Sequence, residues 1–177
     1  MKTLGLFLLT LIAFMIQGDM LYDFKSSSQR DWMIVNDGVM GGLSKGNLEI
    51  NKEGHAVFSG KVSLENNGGF TSIRRNMDAM EVDPESSIQI RLKGDGKRFQ
   101  FRIKESSANY YSYIQYFQTS GDWETIEIPL ADFYPSFRGR RLDMDNFKGK
   151  QIEEMSFLIA NYKEETFRLE IDWIKLK

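Results

Sequence analysis

Alternation of apolar and polar residues with a period of two is the clearest pattern in this chain. Residues 88–92 alternate in this way, residues 99–103 do so again, and Gly94-Asp-Gly96 separates the two runs. A period of two places successive side chains on opposite faces of a β-strand, so each run predicts a strand with one buried and one solvated face. The glycine-rich stretch between them predicts a β-hairpin.

The same period recurs along the chain, whereas apolar repeats at helical spacing are scarce. It returns at 126–130 and at 167–173, and a change of face at Ile174 indicates either a β-bulge or burial of both faces. One helical turn is predicted at 150–154. Further candidate strands lie at 21–24, 32–35, 55–63, 70–74, 111–118 and 155–161. Short strands joined by turns rich in Gly, Asn and Asp predict an all-β fold, a single antiparallel β-sandwich.

An apolar run occupies the start of the chain. Residues 4–16 are almost wholly apolar, with Lys2 before them and Gly18 after them, as in a secretory signal peptide. At about 1.5 Å per residue the run is shorter than the ~30 Å hydrocarbon core of a membrane, which disfavours a spanning helix. We therefore expect a signal peptide or N-terminal apolar anchor at 1–18 and one β-sandwich domain at 20–177.

Removal of this segment would give an exported protein, periplasmic or extracellular. Two alternatives stay open. An uncleaved segment would anchor the protein, and the chain would then touch a membrane only there. Translation from Met20 would instead give a cytoplasmic product.

Composition narrows the chemistry. The chain has no cysteine and one histidine, His55, which excludes thiol nucleophiles and thiolate-bound metals and disfavours a histidine zinc site. Its formal net charge is −2 with acids and bases interleaved, so we expect no nucleic-acid partner. Asp37, Asp132 and the pair 153–154 are the carboxylates suited to acid–base work, but no spacing singles out a catalytic pair. We expect no catalytic residue, no metal and no cofactor.

Two glycine-rich stretches are the main candidates for a binding surface. Neither has the spacing of a phosphate-binding loop or of a dinucleotide fingerprint. In one interpretation they are structural turns in which Asp37 satisfies nearby N–H groups and 66–70 closes a hairpin. In the other they present Met40 and Phe70 to a ligand or partner. Their candidate binding residues are Asn36, Asp37, Gly38, Val39, Met40, Gly41, Gly42, Asn67, Gly68, Gly69 and Phe70.

Arg74 and Arg138 complete the set of candidate binding residues. Arg74 and Arg75 end the strand after the second glycine stretch; we expect one to pair with a carboxylate and the other to be free to hold an anion. Arg138 lies in the longest irregular stretch, 132–150. It is either part of a basic loop for an acidic partner or a surface residue in a group paired with Asp143 and Asp145.

These stretches resemble a known family. Trp32, the run from Asn36 to Gly42, Phe58-Ser-Gly60 and Asn67-Gly-Gly-Phe70 are similar in order and spacing to the complex I intermediate-associated protein 30 family. The resemblance extends from about Tyr22 to the C-terminus, through Gly94-Asp-Gly96, Trp123, Ile128-Pro129, Asp132-Phe133 and Phe137-Arg-Gly139. It implies a jelly roll of galactose-binding-like type and a role in assembling respiratory complex I.

The resulting hypothesis is a non-catalytic, chaperone-like module that binds a protein partner, by resemblance a respiratory-complex assembly intermediate. The alternative is an extracytoplasmic carbohydrate-binding module. It draws on the aromatic strand 110–117, in which Tyr111 and Tyr113 share one face while Tyr110 and Tyr116 share the other. One pair is expected in the core and one exposed, and Tyr111 and Tyr113 are the pair taken for a test of sugar binding.

Overall fold

The computed structural model describes residues 19–177, and the expected signal peptide or anchor at 1–18 lies outside them. Thirteen β-strands and four short 3₁₀ turns make up the described part. The strands are β1 (Asp19–Asp23), β2 (Met33–Asn36), β3 (Lys45–Ile50), β4 (Ala56–Val62), β5 (Thr71–Glu81), β6 (Ser87–Lys93), β7 (Arg98–Lys104), β8 (Ser112–Gln118), β9 (Glu124–Pro129), β10 (Tyr134–Phe137), β11 (Arg140–Arg141), β12 (Gln151–Ile159) and β13 (Glu165–Leu176). The 3₁₀ turns are Gln29–Asp31, Asp37–Met40, Glu65–Asn67 and Leu130–Asp132.

The strands form two antiparallel sheets. Sheet A has the order β3-β4-β13-β6-β9, with β1 also paired to β13. Sheet B has the order β11-β10-β8-β7-β12-β5-β2. The buried apolar residues of both sheets form one core between them. The predicted all-β antiparallel sandwich is therefore confirmed.

Alternate residues of each strand fill this core. Ile88, Ile90 and Leu92 of β6 and Phe99 and Phe101 of β7 are completely buried, as their spacing predicts. Burying a side chain of this size stabilises the fold by roughly 1.5–3 kcal/mol. The intervening residues of β7 must point outwards from sheet B, and this face becomes important below.

Both predicted hairpins are wrong. The turn at 94–97 joins β6 in sheet A to β7 in sheet B, and the loop at 63–70 joins β4 in sheet A to β5 in sheet B. Each connection crosses from one sheet to the other, because the apolar faces of the two strands meet across the core instead of lying side by side. An alternating pattern specifies which face is buried, but not which strand pairs with which.

Other differences from expectation are local. Residues 151–154 begin β12, so the predicted helical turn at 150–154 is wrong; the strand is held by β5 and β7 on its two sides. β5 continues to Glu81, beyond Arg74 and Arg75. β3, β10 and β11 lie where no strand was predicted. The bulge in β13 is confirmed between Ile171 and Trp173. Among the described residues, no helix is long and apolar enough to cross a membrane.

Candidate functional site

Asp37 ties the two glycine-rich stretches together. Its carboxylate accepts hydrogen bonds from the backbone N–H groups of Gly69 (2.7 Å) and Phe70 (3.3 Å). It also accepts from both the backbone N–H (3.1 Å) and the hydroxyl of Ser44. The turn 36–42 and the loop 66–70 therefore lie side by side at one edge of the sandwich, which we call the loop edge.

The glycines of the loop edge make room for this carboxylate. A Cβ on Gly68 would lie 2.6 Å from Asp37 Oδ2, and a Cβ on Gly42 would overlap the Asp37 side chain. Gly41 ends the turn with a positive φ of 88°, a conformation that favours glycine. Close approach to one buried side chain thus explains Gly42 and Gly68, and backbone conformation explains Gly41.

Hydrogen bonding also fixes the ionisation of Asp37. Burial acts to raise the pKa of this carboxyl, but the hydrogen bonds from Ser44, Gly69 and Phe70 outweigh it and hold the pKa below its ordinary value of 3.8. Asp37 is therefore a charged acceptor that is already satisfied by its own chain. This is the structural interpretation of Asp37, and the carboxylate has little left for a ligand.

The asparagines differ in their availability. Asn36 Oδ1 accepts from the Gly46 N–H (3.0 Å) and the Thr71 hydroxyl (2.6 Å), so this oxygen is also satisfied by the protein's own groups. Asn66 donates to the Gly41 carbonyl (3.1 Å) and links the two stretches a second time. Asn67 is exposed and Phe70 is half-buried. The side chains of Val39 and Met40 lie outside the described part of the structure.

Large apolar side chains are exposed around the loop edge. On the edge strand β2, Ile34 is 41% exposed; Met33 is 50% exposed but projects from the opposite, outer face of sheet B, beside Arg74. Leu43, between Gly42 and Ser44, and Leu64, next to Ser63, are 49% and 43% exposed. The Ser44 hydroxyl, which donates to Asp37, accepts from the Ser63 N–H (3.0 Å), and this contact brings the two leucines close together. The loop edge is thus a rigid, hydrogen-bonded support for exposed apolar groups.

The two candidate arginines lie elsewhere. Arg74 is on the outer face of sheet B, where its Nε is 3.4 Å from Glu154. This is the expected pairing with a carboxylate, and Arg75 lies 4.8 Å from the Tyr22 ring. Arg138 is in the turn between β10 and β11, at the opposite side of sheet B from β2. Arg138 forms no ion pair with Asp143 or Asp145; its guanidinium lies over the Phe137 ring (5.2 Å).

On the aromatic strand 110–117, the tyrosines that face outward are not those on which the sugar-binding hypothesis was to be tested. Tyr113 is buried, its ring packs against Phe147 at 5.2 Å, and burial raises its pKa. Tyr111 packs against the same core, so Tyr111 and Tyr113 are not the exposed pair that a sugar would contact. Tyr116 instead lies on the outer face of sheet B, opposite Gln100 of β7. Because Phe117 points inward, its neighbour Tyr116 on β8 must point outward.

Tyr116 belongs to a cluster that the sequence did not indicate. Its ring lies 4.4 Å from the Arg98 guanidinium, and its hydroxyl accepts from Gln100 Nε2 at 2.9 Å. Gln100 Oε1 in turn accepts from Nε (2.8 Å) and Nη2 (2.6 Å) of Arg102. Nearby, the Arg141 guanidinium lies 4.9 Å from the ring of Tyr134. We call Arg98, Gln100, Arg102, Tyr116, Tyr134 and Arg141 the arginine–tyrosine patch.

Small polar residues form the base of this patch. Strand register places Ser156 of β12 beside Arg102 and Ser136 of β10 beside Ser112 of β8. All three serines are buried beneath longer neighbours. Within residues 19–177 none of their hydroxyls has a hydrogen-bond partner, and none is wholly shielded from solvent. The patch therefore combines cations, phenols and available hydroxyls.

The carboxylates considered for acid–base chemistry have other roles. Asp37 is held by the loop edge, and buried Glu154 lies 3.4 Å from both Arg74 and Lys104. His55 packs against Trp123 (4.6 Å), and its Nε2 is 3.7 Å from Asp172. Asp172 is in turn shared with Lys25 (2.9 Å) and Arg91 (3.2 Å). Among residues 19–177 no group of three metal-binding side chains is assembled.

Sequence comparison decides the family. The family model described as complex I intermediate-associated protein 30 matches residues 22–171. The chain belongs to this family. A relative from Drosophila melanogaster, named "Complex I intermediate-associated protein 30, mitochondrial", is 23% identical over 90% of this chain and 62% of its own length. The relative of the same name from Mus musculus is 22% identical over 90% of this chain and 56% of its own. The chain thus spans little more than half of these relatives.

Solved structures show the same fold. A family 11 carbohydrate-binding module from Clostridium thermocellum, solved with a mixed-linked β-1,3-1,4 tetrasaccharide, is 21% identical and covers 89% of this chain and 94% of its own, with a TM-score of 0.65. The agarase AgWH50C matches 91% of this chain with 24% of its own, at 13% identity and a TM-score of 0.58. The expected galactose-binding-like jelly roll is confirmed, and at these identities the likeness concerns the fold alone.

Proposed function

We propose that this protein is a non-catalytic binding module that holds a protein partner at the loop edge. The observation that carries the proposal is the pair of exposed leucines, Leu43 and Leu64, held together beside Asp37, with Ile34 exposed on the adjoining edge strand. A preformed apolar surface loses little conformational entropy when it binds, which favours a specific protein contact. Membership of the family, whose relatives are named for complex I intermediates, supports a respiratory assembly intermediate as the partner.

Edge strand β2 supports the same proposal. It is hydrogen-bonded to β5 on one side only, and among residues 19–177 no strand pairs with the backbone of its other side. An open strand next to exposed apolar side chains is a common way for one protein to receive a segment of another. Asp37 and Glu154, two of the four candidate acids, are already engaged within the fold, which supports a role without catalysis.

The test is capture of named partners by the tagged protein in its native host. We expect subunits of respiratory complex I to be enriched, and Leu43→Asp or Leu64→Asp to abolish that enrichment while circular dichroism stays unchanged. Met144→Asp is the matched control, since Met144 is 43% exposed and lies outside the loop edge. Unchanged capture by both loop-edge variants, or capture without complex I subunits, contradicts the proposal. N-terminal sequencing of the same bait would report whether 1–18 is removed.

Carbohydrate binding on the outer face of sheet B is a second candidate function. The specific observation in its favour is the base of available serine hydroxyls beside Tyr116, on central strands whose backbone is already paired. A glycan array probed with the wild type and with Tyr116→Ala tests it. Binding that Tyr116→Ala removes supports this function, and absence of binding across the array contradicts it.

A further inference from the structure

The arginine–tyrosine patch contains three guanidinium groups whose charges are not neutralised by the described chain. Arg98, Arg102 and Arg141 form no ion pair with any residue from 19 to 177. Their acceptors are neutral amide oxygens: Asn161 for Arg98 (3.4 Å), Gln100 for Arg102, and Asn146 for Arg141 (3.2 Å). The whole chain carries slightly more acids than bases, so this local arrangement does not follow from composition. The patch holds its cations in place and leaves their charge available.

Arg102 is the central group of the three. It lies on β7 between Ile114 of β8 and Ser156 of β12, so its side chain is surrounded on both sides. Gln100 accepts from Nε and Nη2, whereas Nη1 donates to no described residue. Burial lowers the pKa of Arg102 to about 10. Glu154 acts on this charge from a distance but forms no ion pair with it, and a desolvated charge without an ion-pair partner is costly, a cost that a bound anion would relieve.

The neighbouring donors point to the same kind of ligand. The Tyr116 hydroxyl accepts from Gln100, so its own proton is free to be donated. Ser112, Ser136 and Ser156 are only 8%, 4% and 4% exposed, but their hydroxyls have no partner among residues 19–177 and are not wholly shielded, and a hydrogen bond needs far less exposed area than an apolar contact does. Glu154, the buried carboxylate nearby, is already shared by Arg74 and Lys104. The patch therefore offers an excess of donors to a ligand rich in oxygen acceptors, with a negative charge at Arg102.

We infer that the arginine–tyrosine patch binds a carboxylated sugar chain, a polyuronate, with one carboxylate on Arg102 and sugar hydroxyls on the serine base. This inference rests on the carbohydrate function proposed above and names its ligand class. Tyr134, Ile114, Arg102, Ser156 and Arg74 form one row across five strands. At about 4.8 Å per strand the row is about 19 Å long, which suits an oligosaccharide better than a single sugar.

An acidic protein segment fits the patch less well. Ile114 and Leu158, the apolar residues of this face, are buried and offer no surface for a peptide side chain. Strands β7, β8 and β12 are paired on both sides, so an added strand has no place there. Specific protein contacts usually need a desolvated apolar centre, which this patch lacks and the loop edge has.

The experiment is titration calorimetry of the folded protein with four probes. These are hexamers of galacturonate and of mannuronate, a neutral mixed-linked β-glucan oligomer, and poly-L-glutamate of matched charge. We expect at least one of the two uronate hexamers to bind, and Arg102→Gln to weaken that binding about 10-fold or more. Arg102→Lys should retain part of the wild-type affinity, because Lys keeps the charge but not the paired donors. Arg168→Gln, at an exposed position of β13 in sheet A, removes the same charge as a control and is expected to change binding less than about 2-fold.

The outcomes separate this inference from the function on which it rests. Equal binding of the neutral glucan, unaffected by Arg102→Gln, overturns the inference and leaves carbohydrate binding standing. No binding of any sugar overturns both. Poly-L-glutamate that binds as tightly as the uronates overturns the choice of a sugar. If Arg102→Gln unfolds, Arg98→Gln replaces it: Arg98 is exposed, and loss of uronate binding by this variant supports the inference while unchanged binding overturns it.

Discussion

Replacing Asp37 with alanine tests whether this carboxylate holds the loop edge together. The substitution removes the acceptor of four hydrogen bonds, three from backbone N–H groups and one from the Ser44 hydroxyl. A hydrogen bond to a charged group contributes roughly 1.5–3 kcal/mol, and buried donors left without an acceptor carry a desolvation penalty. Because the four act on one carboxylate they are not additive, and water can enter the emptied site.

From these terms we expect Asp37→Ala to lower the free energy of unfolding by about 4 kcal/mol, and Asp37→Asn by about 2 kcal/mol, since the amide keeps one acceptor oxygen. Such a loss is a large fraction of the roughly 5–15 kcal/mol that stabilises a typical domain. At about 2–4 °C per kcal/mol for a chain of this size, the alanine variant should melt about 8–16 °C lower.

Urea unfolding followed by tryptophan fluorescence measures the effect, because Trp32 is buried in the core close to the loop edge. Asp143→Ala is the control for loss of one negative charge, since Asp143 is exposed. A change below about 1 kcal/mol for Asp37→Ala, at an unchanged urea m-value, would refute the reasoning. Asp37 would then be available to a ligand, and the loop edge would owe its rigidity to other contacts.

Three further predictions follow from the same packing. Folding lowers the pKa of Asp37, so its carboxylate stabilises the fold fully above the unfolded-state pKa, and this stabilisation is lost as the pH falls through the folded-state pKa. The difference in unfolding free energy between wild type and Asp37→Asn, measured by urea titration at several pH values, should therefore narrow below about pH 4. Gly42→Ala should cost about 2 kcal/mol through overlap with Asp37, whereas Gly38→Ala, whose added Cβ meets nothing within 4 Å, should stay within about 0.5 kcal/mol; equal melting temperatures would contradict this. Phe157→Ala should cost about 3–5 kcal/mol, since its ring contacts Trp32, Phe101 and Phe117 in a fully buried site, and a smaller loss in urea unfolding would show that the core collapses around the gap.

The strands were predictable where an alternating pattern is long and local. Residues 88–92 and 99–103 identify their own buried faces, because burial depends on side chains two positions apart. Their sheet membership depends on partners far away in the sequence, such as β13 for β6 and β12 for β7, and no local signal contains it. The short strands β10 and β11 are each paired over only a few residues, so their sequence shows no period.

The candidate site was predictable to the same extent. The motif residues of the two glycine stretches do meet, but the sequence alone could not tell whether Asp37 serves the fold or a ligand, since that depends on which donors surround it. The arginine–tyrosine patch was missed because its members come from four different strands, β7, β8, β10 and β11. One signal was present: every outward position of β7, namely Arg98, Gln100, Arg102 and Lys104, is polar or basic.

The difference between Asp37 and Arg102 indicates which parts of this fold are scaffold and which are available for binding. Asp37 is buried in a turn and Arg102 is half-buried on β7, and for each of them burial disfavours the charged form. Asp37 is compensated by four donors from its own chain, so removing it should damage the fold. Arg102 has one neutral acceptor and an unused Nη1 group, so removing it should relieve a cost and leave stability unchanged or improved. Opposite effects of Asp37→Asn and Arg102→Gln on melting temperature are therefore expected, and a large loss of stability in Arg102→Gln would place this arginine in the scaffold.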